Sequence, residues 1–190
     1  MKTRFLGCLC TALLAVGILL GASGTALAHS MSYEEATLIL DDLLGGLNEL
    51  YPRQSKLKDA RRAIVRAGLA DDYQKKDFTG DGMRFVTYEF SYAEKFVFRA
   101  VTGAKDMRDA GDLTITGYDV MGKSARTRAG FHVGMEYSDV TDQYGEASSV
   151  KLNKEGLTSC TYAFESKGSE LTFDVDDAGI IQAIKFRSEI

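Results

Sequence analysis

From Phe85 to Tyr92 the side chains alternate. Val86, Tyr88, Phe90 and Tyr92 share one parity, while Phe85, Thr87, Glu89 and Ser91 share the other. A helix scatters such a pattern around its axis, whereas a strand sorts it onto two faces. Phe96 to Val101 continues the apolar pattern after a tight Ala93-Glu94-Lys95 turn, so 83–92 and 95–102 read as an antiparallel hairpin. Leu113 to Val120 reads as a third strand, reached through a solvated loop at 103–112 that contains Gly103, Asp106, Asp109 and Gly111. Strands return at 157–165, 170–175 and 180–187. The turn from Asp174 to Gly179 joins the last two, because Asp tolerates turn geometry and Gly supplies a positive φ.

Helical signals precede both groups of strands. Ser32-Tyr33-Glu34-Glu35 has the form of a capping box, and Ala36, Leu40, Leu43, Leu47 and Leu50 follow at three- and four-residue steps, which predicts a helix over 33–51 that Tyr51-Pro52 ends. A second helix is expected after Ser55, with Leu57, Ala60, Ile64 and Ala67 on one side, a stop at Gly68, and Lys56, Lys58, Arg61, Arg62 and Arg66 around the rest. A short helix carrying Tyr137, Val140 and Tyr144 is bracketed by Gly134 and Gly145. The expected fold is α+β: an N-terminal helical hairpin and a short later helix packed on antiparallel β-meanders. Met31-Ser32-Tyr33-Glu34-Glu35-Ala36 and Met135-Glu136-Tyr137-Ser138-Asp139-Val140 share a Met-x-Tyr-x-acid-apolar pattern, so 29–120 and 127–190 are candidate sub-units of a degenerate α–β repeat within one domain, 29–190.

Residues 1–28 have the form of a cleavable signal peptide. Lys2 and Arg4 supply the positive start, Leu13 to Leu20 an apolar stretch, and Ala26-Leu27-Ala28 the small residues of a cleavage site, so the exported chain is expected to begin at His29. Cys8 precedes the apolar stretch instead of following it, which disfavours a lipid anchor. The remaining 162 residues carry 21 Lys and Arg against 27 Asp and Glu, a net charge of −6, so nucleic acid is not an expected partner. Cys160 is then the lone cysteine and no intramolecular disulfide forms. No later apolar run is long enough to cross a bilayer.

The run Thr127-Arg128-Ala129-Gly130-Phe131-His132-Val133-Gly134, followed by Val140 and Tyr144-Gly145 and by a closing meander, resembles a pattern of small secreted bacterial proteins, the BamE (SmpA/OmlA) and β-lactamase-inhibitor-protein-like group. The resemblance covers about 127–187. It departs from the pattern at Ala129, where the group has Arg and this chain has Arg128 one place earlier, and at Ala147, where the group has Pro. It implies a helical layer on an antiparallel sheet and binding or assembly roles in the envelope, and it implies no catalytic residue.

The sequence offers few means of catalysis. His29 and His132 are the two histidines of the exported chain, and a copper site would need both to meet. Asp77-Phe78-Thr79-Gly80-Asp81-Gly82 resembles the opening of a calcium loop, but Tyr88 stands where the bidentate Glu is needed, so a loop beside a strand is the better reading. Cys160 shares its parity with Tyr162 and Phe164, which favours a buried thiol over a nucleophile. No Ser-His-Asp order, nucleophile elbow, zinc-spaced pair or phosphate loop is present. No cofactor and no metal site is therefore expected. The expected function is a secreted or periplasmic, non-enzymatic binding or assembly module that engages a protein or envelope component, one version being an inhibitor of an extracytoplasmic enzyme. Tyr88, Tyr92, Tyr118 and Tyr162 form its candidate sheet-face binding site. The alternative is a small extracytoplasmic hydrolase or metal-binding protein with an unrecognised site.

Overall fold

A computed structural model describes residues 31–79, 85–93, 95–164 and 168–188. The candidate signal peptide, His29 and the Gly80-Asp81-Gly82 end of the calcium-like loop lie outside these residues. In chain order the elements are β1 (Leu38–Asp41), β2 (Leu47–Leu50), α1 (Leu57–Arg66), β3 (Gln74–Thr79), β4 (Phe85–Tyr92), β5 (Phe96–Gly103), a 3-10 turn at Ala110–Asp112, β6 (Gly117–Val120), β7 (Ala125–Thr127), α2 (Ser138–Tyr144), β8 (Ser149–Leu152), β9 (Thr158–Ala163), β10 (Ser169–Val175) and β11 (Ile181–Ser188). The strands form two antiparallel sheets, a small one ordered β2-β1-β7 and a large one ordered β3-β4-β5-β6-β11-β10-β9-β8. The large sheet consists of two four-stranded meanders joined where β6 pairs with β11, through Ile184 opposite Val120 and Phe186 opposite Tyr118.

The fold is therefore mostly antiparallel β, which corrects the expected α+β class. The N-terminal helical hairpin is absent because 33–51 is not helical. Its capping box does form: the Ser32 backbone N donates to Glu35 Oε2 at 2.8 Å, and the Glu35 N donates to Ser32 Oγ at 3.3 Å. It caps a single turn, closed by Ala36 N donating to Ser32 O at 3.2 Å, before the chain extends into β1. Gly45 and Gly46 decide the outcome. Each costs a helix interior about 1 kcal/mol, whereas a turn uses the positive φ that Gly45 adopts at 85°. Asp42 N donates to Gly46 O at 2.8 Å and Asp42 Oδ1 accepts from Leu44 N at 2.9 Å, so β1 and β2 close as a hairpin with Leu38 opposite Leu50. The leucine spacing that suggested one helix face is thereby divided. Leu38, Leu40 and Leu50 are buried, while Leu43, Leu44 and Leu47 stand in solvent.

The repeat is corrected on the same ground. Met31 leads into one turn and a strand of the small sheet, whereas the matching Met135 leads into α2 and the large sheet. The other expected elements appear near their expected places: α1 ends at Gly68 (φ 71°), α2 at Gly145 (φ 73°), and the β4–β5 and β10–β11 hairpins form. The third strand is shorter than expected, because Leu113 caps the 3-10 turn and the ladder starts only at Gly117.

One face of the large sheet is covered. Phe90, Tyr92, Phe96, Phe98, Tyr118, Ile184, Phe186 and Phe173 on that face join a single core with Leu38 and Leu40 of the small sheet, Leu57 and Ile64 of α1, and Val140 and Tyr144 of α2. Neither helix is long enough to be stable alone, so this burial holds both in place. No helix among the described residues is long and apolar enough to cross a membrane.

Candidate binding surface

The four candidate tyrosines all lie on the covered face. Tyr92, Tyr118 and Tyr162 are buried, and Tyr88 is half-buried with Lys75 Nζ 5.1 Å from its ring centre. Tyr118 Oη donates to the Ala36 carbonyl at 2.6 Å, and Tyr162 Oη donates to the Gly145 carbonyl at 2.9 Å while sharing a 2.8 Å bond with Tyr137 Oη. Burial pushes the Tyr92 and Tyr118 phenols well above their ordinary range. The proposed tyrosine binding face is thus corrected: three of the four rings anchor the core. Alternation grouped Tyr88 with Tyr92, the strand registers add Tyr118 and Tyr162 to the same face, and the small sheet, helices and loops cover it.

The opposite face carries a different pattern. Residues of the other parity are Gln74, Lys76 and Phe78 on β3, Glu89 on β4, Arg99 on β5, Asp119 on β6, Lys185 and Arg187 on β11, Asp174 on β10 and Ser159 on β9. The central members form a ladder of ion pairs across five strands, β4, β5, β6, β11 and β10. Arg99 Nε meets Glu89 Oε2 at 2.9 Å and Arg99 Nη1 meets Asp119 Oδ2 at 2.9 Å. Arg187 Nη2 approaches Asp119 Oδ1 at 2.5 Å, and Lys185 Nζ approaches Asp174 Oδ2 at 2.5 Å. Ser159 Oγ donates to the other Asp174 oxygen at 2.5 Å, and Thr161 and Thr172 share a hydroxyl bond at 2.9 Å beside it.

The sequence positions these groups through register. Gly117 lies opposite both Arg99 and Arg187, and a Cβ there would approach the Phe186 carbonyl oxygen at 3.0 Å and Arg187 Cδ at 3.5 Å, so glycine leaves the space in which the Arg187 side chain lies. The Arg187 guanidinium also donates to the carbonyls of Tyr118 at 3.0 Å and Phe186 at 2.7 Å. These residues were missed in the sequence, although their signal was present: charges on every second position of strands whose other parity is aromatic mark the face that meets water. A hollow of about 610 Å3 opens on this face beside Gln74, Lys76, Ser91, Val97 and Met121. A second, of about 270 Å3, lies beside Ala163, Glu170 and Arg187.

The remaining candidates are scattered. Cys160 is buried opposite Phe173 on the covered face. Asp77 lies in β3 opposite Tyr88, so the calcium-like segment begins as strand. His132 is exposed, with Nδ1 3.1 Å from the Val133 carbonyl. Among the described residues no three His, Cys, Asp or Glu side chains gather into a group able to hold a metal ion. The basic side of α1 is partly neutralised: Lys58 pairs with Asp112 at 2.5 Å, Arg61 with Asp71 at 2.7 Å and Arg62 with Asp59 at 3.3 Å. Arg128, the displaced arginine of the family-like motif, pairs with Glu34 and Glu49 at 2.7 Å each and lies 5.2 Å from the Tyr51 ring centre. Those contacts tie the residue after β7 to β2 and to the turn that precedes β1.

No family model matches the chain, and no curated protein matches it. Among solved structures it is similar to a DUF4309 family protein, YjgB, from Bacillus subtilis, at 11% identity and a TM-score of 0.39, covering 74% of this chain and 82% of that one. A likeness that loose says nothing about activity.

Proposed function

We propose that the chain is exported behind residues 1–28 and serves as a non-enzymatic binding or assembly module of the cell envelope, engaging a protein or other envelope component through the open face of its large sheet. Inhibition of an extracytoplasmic enzyme is one form of that role. The resemblance of 127–187 to envelope binding and assembly proteins supports it. The observation that carries it is the ion ladder from Glu89 to Asp174. Each charge in it is held by a neighbour, so the face presents a fixed pattern and little side-chain ordering is left to oppose association. Charge complementarity on such a face sets which partner fits.

The test alters the rim of the pattern and leaves the ladder alone. Lys76 and Glu170 are exposed on the open face, outside these ion pairs. The pair Lys76→Gln with Glu170→Gln keeps net charge and sets no like charge opposite Glu89 or Arg187, so it is expected to preserve the melting temperature while sharply lowering capture of the envelope partner. Unchanged capture by the folded variant would refute the reading.

A further inference from the structure

The β1–β2 hairpin ends in the most apolar exposed segment among the described residues. Leu43 is 75% exposed, Leu44 95% and Leu47 57%, and Val65 of α1 adds a 50% exposed side chain. The tip is pinned to the last turn of α1, where Leu43 N donates to Arg66 O at 3.1 Å and the Leu43 side chain lies over Gly68, whose Cβ would meet Leu43 Cδ1 at 2.6 Å. It is a built projection: Asp42 closes the turn through Leu44 N, and Gly45 supplies its positive φ.

Cations lie on both sides of it. Arg62 and Arg66 stand one helical turn apart beside Val65, around a hollow of about 420 Å3. Lys123 and Arg126 line another of about 400 Å3 together with Asp41, Ala67 and His132. The acids at the hairpin root are engaged locally, Asp41 by Arg126 at 2.8 Å and Asp42 by the turn. Leucines at a rigid tip within a collar of cations match the two layers of an anionic bilayer, acyl chains below and phosphate headgroups above. A protein surface of matching chemistry would have to present apolar and anionic zones in the same order.

We propose that the β1–β2 tip is a membrane-contact site that seats Leu43, Leu44 and Leu47 in the interfacial layer of an anionic phospholipid bilayer, with Arg62, Arg66 and Lys123 over the headgroups. The site is separate from the open sheet face, and it rests on the proposed export only in requiring a bilayer to meet. A chain held at the membrane by this tip would carry its sheet face as a tethered binding surface.

The chain contains no tryptophan, so Leu44→Trp introduces a lone reporter. With vesicles of phosphatidylglycerol and phosphatidylethanolamine the reporter's emission should move to the blue and become shielded from iodide. With phosphatidylcholine vesicles, or at high salt, it should not. Leu152→Trp, on a leucine 75% exposed in β8, is the control and should stay unchanged. In the otherwise native chain, Leu43→Ser with Leu44→Ser should lower vesicle partition roughly tenfold or more, and Arg66→Gln about fivefold. No blue shift at position 44, or an equal shift at position 152, overturns the proposal. So does a shift that follows protein concentration without vesicles, which would place a second copy on the tip. The Lys76→Gln, Glu170→Gln variant should bind vesicles as the native chain does, which separates failure of this site from failure of the sheet face.

Discussion

Asp174, a carboxylate with no exposed surface, lies on the open face of the sheet with Lys185 Nζ 2.5 Å from Oδ2 and Ser159 Oγ donating to Oδ1. Removing the lysine strands a desolvated charge. Lys185→Met should therefore cost about 2–3 kcal/mol, below the 3–5 kcal/mol of fully buried pairs because Lys185 keeps some contact with water. Urea unfolding measures it, and adding Asp174→Asn should recover part of the loss.

Tyr144 fastens α2 to the core. Its ring meets Phe131 at 5.8 Å and Tyr162 at 6.3 Å, and its hydroxyl donates to Glu35 Oε1 at 2.7 Å. Tyr144→Ala should cost about 3–5 kcal/mol, as large aromatic truncations do. Tyr144→Phe should keep the ring packing and lose the bond to Glu35, about 1.5–3 kcal/mol, together with the weaker one that Gln143 Nε2 donates to the hydroxyl at 2.9 Å. A melting temperature unchanged by the alanine variant would mean α2 is peripheral.

Stability should fall at both ends of the pH scale. Hydrogen bonds from Arg61 to Asp71, Lys58 to Asp112 and Arg108 to Asp106 hold these carboxyls below the ordinary range, and Tyr51 does the same to Glu49. A depressed carboxyl favours folding above the unfolded value near 4 and loses that contribution as pH falls through the folded value. Burial raises the phenols of Tyr92, Tyr118, Tyr137 and Tyr144. Their contribution is whole below about 10 and is lost as pH rises above it, because the unfolded chain releases protons the native state keeps. Tyrosinate absorbance of these four should appear together with loss of circular dichroism. Full tyrosine titration in a chain with native dichroism would contradict their burial.

Cys160 is buried between Tyr162 and the Phe173 strand, so a thiol reagent should modify it only after denaturant is added. Rapid labelling of native protein would show that β9 opens on its own.

Much of this fold was legible where one period prevailed. Alternation marked β4, β5, β10 and β11, and Gly68 and Gly145 marked the helix ends. The β1–β2 hairpin was not, because Leu40, Leu43, Leu47 and Leu50 fit a helix face as well as a hairpin with an exposed tip. The deciding signal was Gly45-Gly46. The tyrosines show a second limit: alternation groups Tyr88 with Tyr92 but does not say which face the rest of the chain will cover. Glu89 and Arg99, on the other parity and opposite one another, carried that information.

The open face is tested most directly by placing a photo-crosslinking side chain at Val97 and, separately, at Thr172, both on that face, and at Tyr88 on the covered one. Irradiation of the protein in its native envelope should give an adduct of one discrete mass from Val97 and Thr172 and none from Tyr88. Adducts from Tyr88 alone, or none from either open-face position, would contradict binding through this face.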